Sequence, residues 1–329
     1  MSTSTMLRDL NITHVKPTVE IAIGSLIKDR FIIEEKIASG GMGTVYKARD
    51  KRREEAHLDY PYIAIKVLNS DLRHHAGAFA ALQHEAAKAQ TLNHPNIVRI
   101  FDFDRDGDLA FITMEYLQGV TLKEFIRNPT TYQLTPEQKN TIIIQLLSAL
   151  TYAHEQNCVH ADLKPSNVFI LNNLTVKIID FGIANAVHEI PNDKQTSHFS
   201  PEVLHAYSAA YATAEIVNGK KPDFKDDIYA IACIIYELLG TEHPYQRKSA
   251  VVALEDQLPL HTIAGLNKPQ WSALENALSL EKKSCTYTMA DLSHVFRTQP
   301  SRKPYGRWII AGVIFVIIIL LANHIGPLF

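Results

Sequence analysis

Strand-like and helix-like patterning divide this chain unequally, and that division limits the folds open to it. "RFIIEEKIASGGMGTVYKARD" reads as two strands around a glycine turn, and "YIAIKVLN" reads as a third, so an antiparallel sheet opens the domain. Helical spacing follows at Phe79, Leu82, Ala86 and Ala89 across 77–92. A further strand pair, "IVRIFDFDRDGDLAFITMEYL", turns at Asp106-Gly107. Thr135-Pro136-Glu137-Gln138 then combines an N-cap, a first-turn proline and a capping-box glutamine, which predicts a long helix to about Gln156. The remainder is mainly helical except for "NVFILNNLTVKIIDFG", two strands joined at Asn172-Asn173. The expectation is an α+β chain of two lobes, a small antiparallel-sheet lobe with one helix and a larger helical lobe, with a cleft between them.

With 46% apolar residues among 329, the chain has enough for a substantial core. Its 33 basic and 35 acidic residues nearly cancel, so bulk charge gives no support for a nucleic-acid partner. The dense run "DKRREEAHLD" at 50–59 mixes both signs and reads as a solvated loop. Cys158, Cys233 and Cys285 are dispersed, as in a reducing compartment, and read as buried small side chains.

The C-terminal end differs from the rest. Trp308 to Ala322 carries no charge, and Trp308 to Phe329 as a helix would reach about 33 Å against a hydrocarbon core of ~30 Å. A transmembrane helix over 308–325 is expected, led by a basic linker at 299–307. Arg297, Arg302, Lys303 and Arg307 precede the segment and no Lys or Arg follows it, which puts the preceding chain in the cytoplasm, single-pass.

Several short stretches carry chemistry. Gly40, Gly41 and Gly43 sit between two strands, where backbone N–H groups can approach a polyphosphate, although a steric hairpin also uses glycines. Lys66 ends an apolar strand, and Glu85 on the following helix can pair with it. "HADLKPSN" and "KIIDFG" bring Asp162, Asn167 and Asp180, oxygen donors suited to Mg²⁺ with substrate phosphates, while Lys164 adds a cation beside Asp162.

Taken in order from about Ser25 to about Leu292, these stretches resemble the protein kinase family. "SGGMGTVYKARD", "HPNIVRIFDF", "MEYLQGVTL" and "AHEQNCVHADLKPSNVFI" are similar to its eukaryotic-like bacterial Ser/Thr branch. The resemblance implies an N-lobe at 25–117 after a tail at 1–24, and a C-lobe at 118–298. It also implies an ATP- and Mg²⁺-dependent transfer of phosphate to protein substrates. Lys66 would hold the α and β phosphates and pair with Glu85. Asp162 would orient the substrate hydroxyl and accept its proton, Lys164 would steady the γ phosphate, and Asn167 and Asp180 would hold the metal. Val45 and Ala64 would cover the adenine. Met114 would be the gatekeeper, and Glu115 to Leu117 the hinge. Asp227 would support the catalytic loop, and Ser200-Pro201-Glu202 would close the activation segment.

Four positions depart from the family pattern. Ala38 replaces the first glycine of the turn. The segment 180–202 is short, and no arginine stands where one normally pairs with Glu202, Thr286 being nearest. Ala161 replaces the arginine that receives a regulatory phosphate. The resemblance therefore implies an active kinase whose segment is ordered without phosphorylation at Thr196 or Ser197. The alternatives are a nucleotide-binding pseudokinase acting as a membrane-held scaffold and, less favoured by the motifs, a kinase-fold enzyme for a small molecule.

Overall fold

The computed structural model describes residues 20–40, 43–69, 76–182, 209–240 and 242–298. Gly41, Thr196, Ser197, Ser200-Pro201-Glu202, the linker 299–307 and the expected membrane segment 308–325 lie outside the described residues, as does most of the tail 1–24. Among the described residues, no helix is long and apolar enough to cross a membrane.

Six antiparallel strands build the first lobe: β1 (Leu26–Ile27), β2 (Phe31–Gly40), β3 (Gly43–Asp50), β4 (Tyr62–Leu68), β5 (Ile100–Asp106) and β6 (Leu109–Glu115), in the order β1-β2-β3-β4-β6-β5. Alternation sorts their side chains. Tyr46, Ala48, Ile63, Ile65 and Val67 join Ile27, Phe31, Ile33 and Phe111 in a core on one face, which leaves Val45, Ala64 and Lys66 on the other. The β5–β6 pair closes with Asp106 opposite Leu109, so the turn centres on Gly107-Asp108, one residue later than expected. Gly107 takes φ +54 there, a conformation glycine adopts without steric cost.

Helix α1 (Lys51–Glu55) occupies the charged run that the sequence suggested was loop. Asp50 caps it by accepting the Arg52 N–H, and Arg30 holds the same carboxylate through two bonds of 2.8 and 2.6 Å. The mixed charges thus serve a buried cap and its guanidinium partner. Helix α2 (Ala76–Thr91) packs against β5, with Leu82, Ala86 and Ala89 buried, as their spacing predicts.

Beyond the joining segment at 116–118 come β7 (Gly119–Thr121), α3 (Leu122–Arg127), α4 (Pro136–Glu155), β8 (Val168–Leu171), β9 (Val176–Ile178), α5 (Ala214–Val217), α6 (Phe224–Gly240), α7 (Ala250–Glu255), α8 (Lys268–Ala277) and α9 (Met289–Arg297). The box predicted at Thr135 forms in both directions, with bonds of 2.8 and 3.2 Å to Gln138. β8 and β9 turn through Asn172-Asn173, as expected. Helix α6 is buried on every side from Asp226 to Leu238, which makes it the axis of the larger lobe. All three cysteines are buried thiols, and burial pushes Cys158 up to about 11, so it stays protonated at neutral pH. The lobes also meet at a parallel bridge between Ile97 and Ile178, where the Val98 N–H donates to the Ile178 carbonyl at 2.9 Å.

Candidate active site

Strand register assembles the roof of the cleft. Ala38 faces Val45, Val45 faces Lys66 and Ala64 faces Met114, so these five side chains share the surface opposite the apolar core of the sheet. Gly40 pairs with Gly43 at the tip. The two glycines have different physical grounds. A Cβ on Gly43 would lie 2.1 Å from the Val67 carbonyl oxygen, so the sheet itself forbids a side chain there. A Cβ on Gly40 would meet nothing within 4 Å among the described residues, so no packing among them requires a glycine at that position.

Lys66 is 6% exposed, and its ammonium donates to Asp180 Oδ1 at 2.7 Å. The pairing expected with Glu85 is replaced. Glu85 Oε1 instead takes the ammonium of Lys88 at 2.7 Å. The backbone after β9 accounts for the exchange, because Asp180 at φ 64 brings its carboxylate to Lys66. Gly182 at φ +71 passes so near Glu85 that a Cβ there would come within 2.8 Å of Oε2. Burial alone would raise the pKa of Asp180, but the charge and hydrogen bond of Lys66 outweigh it and hold the carboxyl below its ordinary value.

The floor of the cleft is a loop pinned from below. The His160 and Ala161 N–H groups donate to Asp227 Oδ2 and Oδ1 at 2.8 and 3.0 Å, the placement expected of Asp227 at the start of α6. Ala161 has φ 69, a left-handed conformation that a β-carbon resists. The His160 ring accepts the Asp162 N–H at Nδ1 (3.3 Å), so its proton lies on Nε2, which donates to the Ile179 carbonyl at 2.9 Å. Lys164 Nζ donates to Asp162 Oδ2 at 2.6 Å. Asn167 donates its amide nitrogen to the Asp162 carbonyl at 2.9 Å, which leaves its side-chain oxygen as the acceptor it can present to a ligand.

The Ile179 N–H donates to the Asn167 backbone carbonyl at 2.9 Å, which sets Asp180 one residue from that bond, and the Asn167 side-chain oxygen and the Asp180 carboxylate are both hard oxygen donors. No group of three or more His, Cys, Asp or Glu suited to a metal occurs among the described residues. That combination fits Mg²⁺, which characteristically completes its shell with water and phosphate oxygens rather than with a full protein cage.

Other expected residues fall at the joining segment. Met114 is buried at the end of β6, and Leu117 lies at the lobe junction. The Glu115 side chain is committed elsewhere, since its Oε1 accepts the Arg99 N–H at 2.8 Å and the Lys177 ammonium at 2.6 Å. Sequence reasoning missed His154, whose Nε2 lies 2.8 Å from Asp227 Oδ2. A histidine near the end of a helix gives no local sign of a partner 73 residues away.

The family model "Protein kinase domain" matches residues 31–298. The chain belongs to the protein kinase family. Among its relatives, this kinase chain is 36% identical over 260 residues to the probable serine/threonine-protein kinase PknB of Lactococcus lactis, covering 78% of itself and 39% of that protein. It is 31% identical over 294 residues to PknB of Mycobacterium tuberculosis, covering 85% and 45%, and 36% identical to PrkC of Bacillus subtilis, covering 70% and 33%. The kinase chain thus spans less than half the length of these relatives. Its fold is that of the M. tuberculosis PknI kinase domain, with a TM-score of 0.62 at 20% identity, covering 84% of this chain and 98% of that one. The apo form of PpkA-294 gives 0.66 at 20% identity, with 84% and 99% covered.

Proposed function

We propose that this chain is a Ser/Thr protein kinase that transfers the ATP γ-phosphate to hydroxyls of protein substrates. One observation carries the reading: Asp162, Lys164 and Asn167 are knit together on the cleft floor, while Lys66 of the roof meets Asp180 across from them. Asp162 accepts the proton of the attacking hydroxyl as its oxygen bonds to phosphorus and the bond to the bridging oxygen of ADP breaks. Lys164, 2.6 Å from that carboxylate, neutralises charge on the moving phosphoryl group. Asn167 and Asp180 would hold Mg²⁺, which when bound would neutralise phosphate charge. Lys66 fixes the α and β phosphates, the Gly40–Gly43 tip covers them, and Val45, Ala64, Met114 and the backbone at 115–117 enclose the adenine.

The domain limits that go with this function are an N-lobe at 25–117 and a C-lobe at 118–298, followed by the basic linker 299–307. The apolar segment 308–325 anchors the kinase to a membrane, bacterial and inner by analogy with the branch it resembles, with the catalytic domain on the cytoplasmic side. Membrane fractionation of the full chain against one ending at residue 298 tests this, and retention of the shortened chain in the membrane would reject the anchor.

Ala161 supports a second element of the proposal. With no arginine there to receive a phosphate, ordering of the segment after Asp180 does not depend on phosphorylation. Changing Thr196 and Ser197 together to Ala is expected to keep most of the rate, and a collapse of the rate would refute this point.

Transfer of labelled γ-phosphate to a generic protein acceptor, with and without Mg²⁺, tests the central reading. Wild type should label the acceptor, while Asp162→Ala and Lys66→Met should lose at least about a hundredfold of the rate. The Lys66–Asp180 and Glu85–Lys88 pairings favour one competitor, a nucleotide-binding scaffold. Wild type that binds ATP yet labels nothing would select it.

A further inference from the structure

Residues 116–118 join the two lobes without belonging to any strand, because β6 ends at Glu115 and β7 begins at Gly119. No ladder of backbone bonds therefore sets the direction in which the Leu117 N–H and C=O point. What grips the segment is side chains, and the decisive one comes from the connection between β3 and β4. The Tyr60 hydroxyl accepts a hydrogen bond from Gln118 Nε2. Its ring stacks on Tyr116 with centroids 6.4 Å apart and planes 23° apart, and meets Tyr62 edge-on at 5.3 Å.

A cation completes the cluster. Lys47 Nζ lies 4.0 Å from the centre of the Tyr62 ring and 5.6 Å from that of Tyr116, with the Glu34 carboxylate 3.5 Å away. Lys47 stands opposite Ala64 and two residues from Val45, hence on the cleft-facing side of the sheet. The cluster thus borders the proposed adenine site and holds both chain neighbours of Leu117.

We propose that Tyr60 is a positioning residue for the nucleotide: it clamps Tyr116 and Gln118 so that the Leu117 backbone is presented to adenine in one fixed orientation. This rests on the kinase reading of the site. Tyr60 is 42% exposed and touches no residue assigned to phosphate, metal or proton transfer, so its influence should fall on ATP binding and spare the chemical step.

The test uses the full chain, with KM and kcat for ATP from steady-state transfer and Kd for ATP from calorimetry. Tyr60→Ala is expected to raise KM and Kd about fivefold with kcat unchanged, because a pre-ordered backbone is lost rather than a reacting group. Tyr60→Phe keeps the stack and loses the hydroxyl, so about a twofold rise is expected. Leu58→Ala, at a 53% exposed position of the same connection, is the control and should change neither constant. Thermal melts of all variants should coincide with wild type. Equal KM and Kd across the series, a fall in kcat at constant KM, or an equal effect of Leu58→Ala would overturn the proposal. Wild type that binds ATP without transfer would sink the kinase reading while the Kd order still judges Tyr60. Wild type that binds no ATP would overturn both.

Discussion

Two carboxylates brace the cleft from opposite sides, and their surroundings differ in kind. Asp227, 1% exposed beneath the catalytic loop, has three polar partners within 3.0 Å: the His160 N–H, the Ala161 N–H and the His154 ring. Glu85, above the cleft and 4% exposed, has as its ionic partner among the described residues Lys88, whose side chain is 49% exposed, with the 66% exposed His84 ring 3.6 Å away. The first is locked by buried backbone donors that have no other partner to turn to, whereas the second is tied to solvated side chains that exchange partners at small cost. The floor of the site is thus fixed by the fold, while on the roof side Lys66 pairs with Asp180 and Glu85 pairs with Lys88.

The sharpest way to break this contrast is to delete each carboxylate in turn. Asp227→Ala strands two buried N–H groups, with an expected loss of about 3–5 kcal/mol of stability and of nearly all phosphotransfer as the loop relaxes. Glu85→Gln should move stability by no more than about 1 kcal/mol, since what it removes is an ion pair with a half-exposed lysine. Urea denaturation of the two variants beside wild type measures the difference. Comparable losses would show that the roof carboxylate is as firmly built in as the floor one.

The same contrast explains what was legible in the sequence. The Asn172-Asn173 turn, the Thr135 capping box and the helix at 76–91 are legible because each is decided within a few residues. The order of Asp162, Lys164 and Asn167 was readable because the chemistry dictates residue types at short, fixed offsets along one loop. Errors arose where the deciding partner is remote. Helix α1 depends on Asp50 being held by Arg30, 20 residues away. For Lys66 the sequence points to Glu85 on the next helix, whereas the ammonium goes to Asp180, 114 residues along the chain. His154 and Tyr60 gave no local signal, with partners 73 and 58 residues away. Residues 183–208 and the apolar stretch 308–325 fall outside the described residues, so their sequence expectations rest on motif and hydropathy alone.

Ala161 provides the finer test of how rigidly the floor is held. At φ 69 its β-carbon costs roughly 1–2 kcal/mol relative to a right-handed conformation, and in that conformation the Ala161 N–H donates to Asp227 Oδ1 at 3.0 Å. Ala161→Gly removes the steric cost but adds backbone freedom to the unfolded chain, an opposing effect of about 0.4–1 kcal/mol. The balance is a gain of about 0.5–1 kcal/mol, a rise in Tm of about 1–4 °C for a domain of this size. Introducing the same change into Asp227→Ala should give less, because a loop without its anchor has already relaxed out of the left-handed conformation and has no strain left to release. Additive shifts in Tm across this double-mutant cycle would mean that the strain at Ala161 is set by the loop itself, independently of the aspartate beneath it.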